Sequence, residues 1–300
     1  MAVKKIGLIS LKAGDYDVTV APEIGGSIAS YRYLSPGRAV DIFRPLRNLD
    51  HGPDRVLEMG CFPLVPYSNR IREGKIMAGD GTARLPKNNP PEPHPCHGTG
   101  WKSPWDIVDQ TAHSLTLVLP PNADFPLIYK AHQHISLTPL QLEITLSVTN
   151  LGKVDFPAGL GLHPYFPARK TAEIIAGLPQ EWALDAARMP TERVKNPAFK
   201  PFQMGQNAQD LKEMSAYCGW DGAAVIRWPD LGTALFMTTE PPLAHLLIWA
   251  PAGKAFFCAE PASHAIDGFN LAAQGIDAVG GVILAPNRTL TQKFIFRPRF

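Results

Sequence analysis

Thirty prolines are strewn through the 300 residues of this chain, about twice ordinary usage, and they constrain its fold more than any other feature. A proline inside a helix removes a backbone donor and collides with the preceding turn, so long helices have little uninterrupted sequence to occupy. Between the breaks the chain reads as strands. YDVTVAP, SIASYRYL, SLTLVLP, AAVIRW, ALFMTT, AHLLIWA, KAFFCAE and LTQKFIFRP are short, rich in β-branched and aromatic residues, and separated by turn residues. The clearest unit is a hairpin from Lys130 to Asn150, in which ISL and LEITLSV flank Thr138-Pro139 with apolar residues at alternate positions. Thr171 to Lys212 is the least β-like region and predicts an excursion of loops with one or two short helices. There is no repeat of fixed period and no low-complexity linker, so the pattern predicts one large all-β, antiparallel domain over residues 1–300.

With 45% hydrophobic and 19% charged residues the chain can bury a sizeable core. Its formal net charge is only +2 and the basic residues are scattered, which gives no electrostatic footprint for nucleic acid and suits a small neutral ligand better than a polyanion. No window reaches the apolar length of a membrane span. In MAVKKIGLISLKAGDYD the apolar run stops at Leu8-Ile9 with Lys12 close behind, too short for a signal-peptide core, which points to the cytoplasm. Cys61, Cys96, Cys218 and Cys258 form no CxxC pair and sit in apolar settings, as buried free thiols would rather than a zinc knuckle. His132 and His134 face the same way on a strand, and with no third ligand nearby they read as a surface or interface pair.

Chemistry gathers in five segments. In AGLGLHPYF, Leu160 and Leu162 share one strand face while His163 shares the other with Gly159 and Gly161, so the imidazole stands over cleared space. Pro164 holds its backbone extended. In FFCAEPASHAIDGFN, Glu260 ends a very apolar strand immediately before Pro261. A carboxylate there is partly desolvated, which raises its basicity; the alternative is a salt bridge at a strand end. FPLVPYSNRIREG carries Asn69 and Arg70, PCHGTGWKSPW places His97 before Gly-Thr-Gly, and YCGWDGAAVI puts Asp221 at the mouth of a strand. Each has a structural alternative: His97 bonding backbone, Arg70 pairing with Glu73, Asp221 closing an Asx turn with Gly222 or the residue after it. A metal site on His94, His97 and His163 lacks a carboxylate at convincing spacing.

PYSNRI, HG..GW, GLHPYF and E-P-x(5)-D-G-F-N, in this order and at these separations, resemble the motifs of the aldose 1-epimerases, the galactose mutarotase family. The resemblance runs from APEIGGSIASY through SVTNLG and MPTERV to LAPNRTLTQKF. It implies an antiparallel β supersandwich whose concave face holds a free sugar such as galactose or glucose, with no cofactor and no metal. It further implies that Glu260 is the base and His163 the acid that open the cyclic hemiacetal, supported by His97. Arg70 and Asp221 would grip sugar hydroxyls, with Asn69 assisting. Asp230 and Asp210 are alternatives to Asp221, and His264 would be an extra substrate contact. Two rivals stay open: a hexose-6-phosphate mutarotase using Arg70, Arg72 and Arg227, and a non-catalytic sugar-binding protein on the same fold. The expected assembly is a monomer or homodimer.

Overall fold

A computed structural model describes residues 7–47 and 52–300. Residues 1–6, part of the opening that enters the signal-peptide argument, lie outside the described residues. Two antiparallel sheets dominate. The larger has eleven strands and runs in space through Ile9–Ala13, Tyr16–Ala21, Ser27–Ser35, Cys61–Leu64, Gly161–Pro167, Phe256–Ala262, His245–Trp249, Met214–Cys218, Gln180–Leu184 and Pro190–Lys195, with Arg38–Phe43 paired to Ser27–Ser35. The nine-stranded sheet runs through Gln206–Asn207, Glu173–Ala176, Ala223–Trp228, Thr233–Glu240, Thr289–Arg299, Leu142–Asn150, Tyr129–Leu137, Ser114–Leu119 and Asp106–Gln110. Among the described residues the only α-helices are Phe199–Met204 and Gly268–Ala273, six residues each, and no helix is long and apolar enough to cross a membrane.

The sheets pack face to face. Leu11, Val18, Leu162, Phe166 and Phe257 of the larger sheet share one apolar cluster with Leu117, Ile144, Ile226 and Phe294 of the smaller. Phe43 meets Phe296 edge-on across the interface, ring centroids 5.0 Å apart. The hairpin pairs Tyr129 with Asn150 through to Leu137 with Leu142, and buried and less buried residues alternate along both strands, as expected of a sheet with one face on a core and one toward water. His132 and His134 fall on its watered face, where His134 Nδ1 lies 2.9 Å from Thr116 Oγ1. All four cysteines are buried and free.

The segment 171–212 differs from expectation. It contributes Glu173–Ala176, Gln180–Leu184, Pro190–Lys195 and the two-residue Gln206–Asn207 as strands, beside the expected short helical pieces at Phe199–Met204 and Ala208–Asp210. Short charged stretches such as KTAEIIAG carry too few residues to display a period, and pairing partners distant in sequence decide their state: Ile174 lies opposite Ile226 and Trp182 opposite Ala216.

Within the larger sheet, the strands near its middle alternate between two apolar environments. Leu162, Phe166, Phe257 and Ala259 face the smaller sheet, whereas Phe62, Leu64, Tyr165 and Cys258 pack in a separate cluster on the opposite face. That outer face carries the site.

Candidate active site

Strand register lays its floor. Gly161 opposite Ala262 and Tyr165 opposite Cys258 bracket His163 and Glu260, which therefore sit level on neighbouring strands. Phe62 lies opposite His163 on the other side, and Trp249 lies opposite both Cys258 and Met214. Alternation puts Phe62, His163, Tyr165, Glu260, Trp249 and Met214 on one face, where they line a cavity of about 220 Å³ closed by Asn69, Arg70, Glu92, His97, Trp101 and Arg188 among others.

His163 Nε2 lies 3.2 Å from Glu260 Oε1, and both side chains are buried. The imidazole stacks on Tyr165, centroids 4.8 Å apart and planes 17° from parallel, and the Phe62 ring centroid lies 4.5 Å from it. Arg44 lies over the Tyr165 ring, 3.9 Å from its centroid, and donates to the carbonyl of Met59 at 2.8 Å, which ties the strand carrying His163 to the segment before Cys61. His97 and Asn69 lock two loops together: His97 N–H donates to the Asn69 carbonyl at 2.9 Å, and Asn69 N–H donates to His97 Nδ1 at 3.0 Å. Both residues take the left-handed conformation, φ 61° and 55°, which Asn and His adopt more readily than most. Because Nδ1 accepts, the neutral His97 ring carries its proton on Nε2. Arg70 donates from Nε to Glu92 at 2.9 Å and from Nη1 to Asn69 Oδ1 at 3.0 Å. Glu73, its alternative partner from sequence, pairs with Lys75 instead.

His163, Glu260, His97, Asn69 and Arg70 are thus brought together. Asp221 is not. It is exposed, accepts from Ala223 N–H at 3.2 Å in an Asx turn, and borders a separate groove with Ile175, Phe236 and Thr238. Neither alternative lines the cavity: Asp230 pairs with Arg169 at 2.6 Å, and Asp210 is exposed. His264 is wholly buried; it accepts from Ser68 N–H at 2.9 Å and faces the Ala265 carbonyl at 2.7 Å, so both nitrogens are engaged, one of them in holding the segment before Asn69. The glycines also serve the fold rather than a ligand. A Cβ on Gly159 would fall 2.1 Å from His264 Cδ2, one on Gly161 2.8 Å from the Pro261 carbonyl, and one on Gly98 2.1 Å from the Val65 carbonyl.

A model of the family described as aldose 1-epimerase matches residues 7–297. The chain belongs to the aldose 1-epimerase family. A relative in Escherichia coli K12, the uncharacterized protein YphB, is 33% identical over 256 residues, covering 80% of this chain and 84% of its own. A solved structure from the same organism, provisionally named an aldose 1-epimerase, superposes with TM-score 0.88 at 27% identity over 99% of this chain and 100% of that one. A galactose mutarotase-like protein from Clostridium acetobutylicum shares the fold, with TM-score 0.85 at 20% identity over 98% and 96% of the two chains.

In this aldose 1-epimerase family member, burial governs the charges of the central groups. It raises Glu260 to about 8, with Arg70 opposing, and Glu260 Oε2 has no hydrogen-bond partner among the described residues to offset that cost. It lowers His163 to about 3, assisted by the Arg44 cation, and pulls His97 well below the usual imidazole range, assisted by His163. Ligand atoms of His97, His163 and Glu260 all lie within 4.8 Å of one another. Zinc would need a free lone pair on each nitrogen, and His97 offers none while its Nδ1 accepts from Asn69 N–H and its Nε2 carries the proton.

Several lining residues were not singled out from sequence. Trp249 and Met214 become visible only once their strands are known to lie first and second beside that of Glu260 in the sheet. Arg188 sits in a hairpin turn without any local signal. Glu92 had one: it stands between Pro91 and Pro93, the same proline-held setting that marks His163 and Glu260.

Proposed function

We propose that this chain interconverts the α and β anomers of a free aldose such as glucose or galactose, an isomerase reaction. The observation that carries the reading is the 3.2 Å contact between His163 Nε2 and Glu260 Oε1 in the wall of a cavity. Opening a cyclic hemiacetal needs a base at the C1 hydroxyl and an acid at the ring oxygen. Both oxygens are bonded to C1, so a carboxylate and an imidazole in mutual contact reach them together. Glu260 takes the C1 hydroxyl proton while His163 gives a proton to the ring oxygen; the bond from C1 to the ring oxygen breaks and an aldehyde forms. Rotation about C1–C2 and the reverse transfers close the ring on the other face.

The directions of the two shifts leave this pair one proton at neutral pH, resting on Glu260 and shared with His163 Nε2. Moving it across the contact produces carboxylate and imidazolium with no exchange with solvent. That is the working form of base and acid. His97 Nε2–H then supports the ring oxygen as a neutral donor, and Arg70, held charged by Glu92, donates to hydroxyls. At about 220 Å³ the cavity is smaller than the roughly 300–1,000 Å³ of drug-sized pockets, which favours a monosaccharide, and Phe62, Trp101 and Trp249 offer apolar faces to its C–H groups.

An unphosphorylated substrate is favoured because two of the three arginines that a phosphate site would gather, Arg72 and Arg227, are engaged elsewhere. Arg72 pairs with Asp267 and Arg227 with Glu173 on the other sheet, and neither lines the cavity. The test is polarimetry on freshly dissolved α-D-glucose and α-D-galactose at pH 7. Wild type should accelerate the change in rotation and Glu260→Gln should not, although it still binds sugar. Sugar binding without acceleration by wild type would replace this reading with a non-catalytic sugar-binding protein.

A further inference from the structure

The cavity holds two carboxylates, and the proposed chemistry at C1 uses one of them. The other, Glu92, is built into place. Pro91 and Pro93 restrict the backbone on either side of it. Asn88 stitches its loop to that of His97, with Nδ2 donating to the carbonyls of Cys96 and Gly98 at 2.7 Å each and Oδ1 accepting from Cys96 N–H at 2.9 Å. Lys102 Nζ donates to the Asn88 carbonyl at 2.8 Å. The Glu92 carboxylate then divides its oxygens. Oε2 accepts from Arg70 Nε at 2.9 Å, whereas Oε1 lies 3.8 Å from Arg188 Nη1, an ion-pair distance too long for a hydrogen bond. Oε1 thus keeps acceptor capacity at the cavity wall, and the side chain is 24% exposed there.

We propose that Glu92 is a specificity-determining residue: Oε1 accepts a hydrogen bond from an aldose hydroxyl that the C1 chemistry does not use, while its negative charge between Arg70 and Arg188 rejects phosphorylated aldoses. The proposal rests on the sugar-binding part of the reading above. It follows from the donors and acceptors present. A pyranose presents several hydroxyls that donate as well as accept, and Arg70, Arg188 and His97 Nε2–H are all donors. Glu92 is the charged acceptor that Glu260 leaves available. The cavity's two arginines are the only cations lining it among the described residues, and Glu92 faces both, with Glu213 also on Arg188 at 3.0 Å. A phosphate dianion entering here meets cations already neutralised and a fixed like charge.

The experiment compares wild type, Glu92→Gln and Glu92→Ala on glucose, its 2-, 3-, 4- and 6-deoxy analogues and glucose 6-phosphate. Polarimetry gives kcat and KM, and fluorescence of Trp101 and Trp249 in the cavity wall gives binding without turnover. Both variants should raise KM for glucose at least about tenfold, the loss of one charge-assisted hydrogen bond, with kcat within about threefold of wild type. One deoxy sugar should bind wild type correspondingly poorly and lose nothing further in Glu92→Ala, because the hydroxyl and its acceptor are then both gone. Glucose 6-phosphate should gain at least about tenfold in affinity in Glu92→Gln. Equal losses for every deoxy sugar in Glu92→Ala would reduce Glu92 to a prop for Arg70, and an unchanged KM would remove it from recognition. If wild type turns over no aldose, the binding series still decides: the same pattern in fluorescence keeps Glu92 and sinks only the acid/base reading. Failure of wild type to bind any aldose overturns both.

Discussion

Replacing Glu260 by glutamine should abolish turnover and at the same time stabilise the protein, by an amount that depends on pH. Glu260 is 3% exposed, and burial raises it from an ordinary 4.5 to about 8. At pH 7 the folded protein therefore holds a proton there that the unfolded chain has lost. A group raised on folding contributes its stability below its unfolded value and loses it as pH climbs through the folded one. Between 4.5 and 7 the loss is 2.5 units at 1.36 kcal/mol each, about 3 kcal/mol. Glutamine keeps the shape and can donate to His163 Nε2 without taking up a proton. Its gain should be near zero at pH 4.5 and about 3 kcal/mol at pH 7, visible in thermal unfolding as a rise on the order of 5 °C. Polarimetry on the same samples should give a rate lower by a factor of about 10²–10⁴, the usual worth of a general base. A gain equal at both pH values, or a loss at pH 7, would mean that Glu260 is ionised against a protonated His163 in the resting protein. A near-normal rate would remove it from the chemistry.

Because the pair works while it holds one proton, kcat/KM should stay level from about pH 5 to 7 and fall as pH rises through about 8, where Glu260 loses its proton; a rate that instead rises through pH 8 after correction for the spontaneous reaction would refute the shared proton. His163→Asn should slow turnover about as severely as the Glu260 variant, whereas Arg70→Ala should raise KM with a smaller effect on kcat, both read by polarimetry. Prior treatment with EDTA should leave the rate unchanged, and a loss restored by zinc would turn the His97, His163 and Glu260 trio into a metal site. His245 is buried, has no partner on either nitrogen among the described residues, and is lowered to about 3. Such a group contributes its stability above its unfolded value of 6.5 and loses it as pH falls toward 3, so His245→Leu should reduce the acid sensitivity of urea unfolding by up to about 1.4 kcal/mol per pH unit.

Local pattern was enough for what period and chemistry express over a few residues. Proline frequency and two-residue alternation determined an antiparallel β protein, and the register of the hairpin from Tyr129 to Asn150 follows from its own apolar positions. The segments carrying His163, Glu260, His97, Asn69 and Arg70 were legible because a polar group held by proline, glycine or aromatic neighbours departs from the surrounding apolar pattern. What those neighbours do was decided by the tertiary structure. Gly159 and Gly161 read as room for a ligand, yet they make room for the His264 ring and the Pro261 carbonyl, since a missing side chain does not say which neighbour occupies its place. Asp221 carries the right chemistry in a plausible motif but ends on an exposed turn, while Glu92, far from it in sequence, faces the cavity. Trp249 and Met214 meet only because strands distant along the chain pair there. The 3.2 Å contact of His163 with Glu260 has the same origin. It joins residues almost a hundred positions apart, and a hydrogen-bonded sheet, unlike any local propensity, fixes such pairs by long-range register.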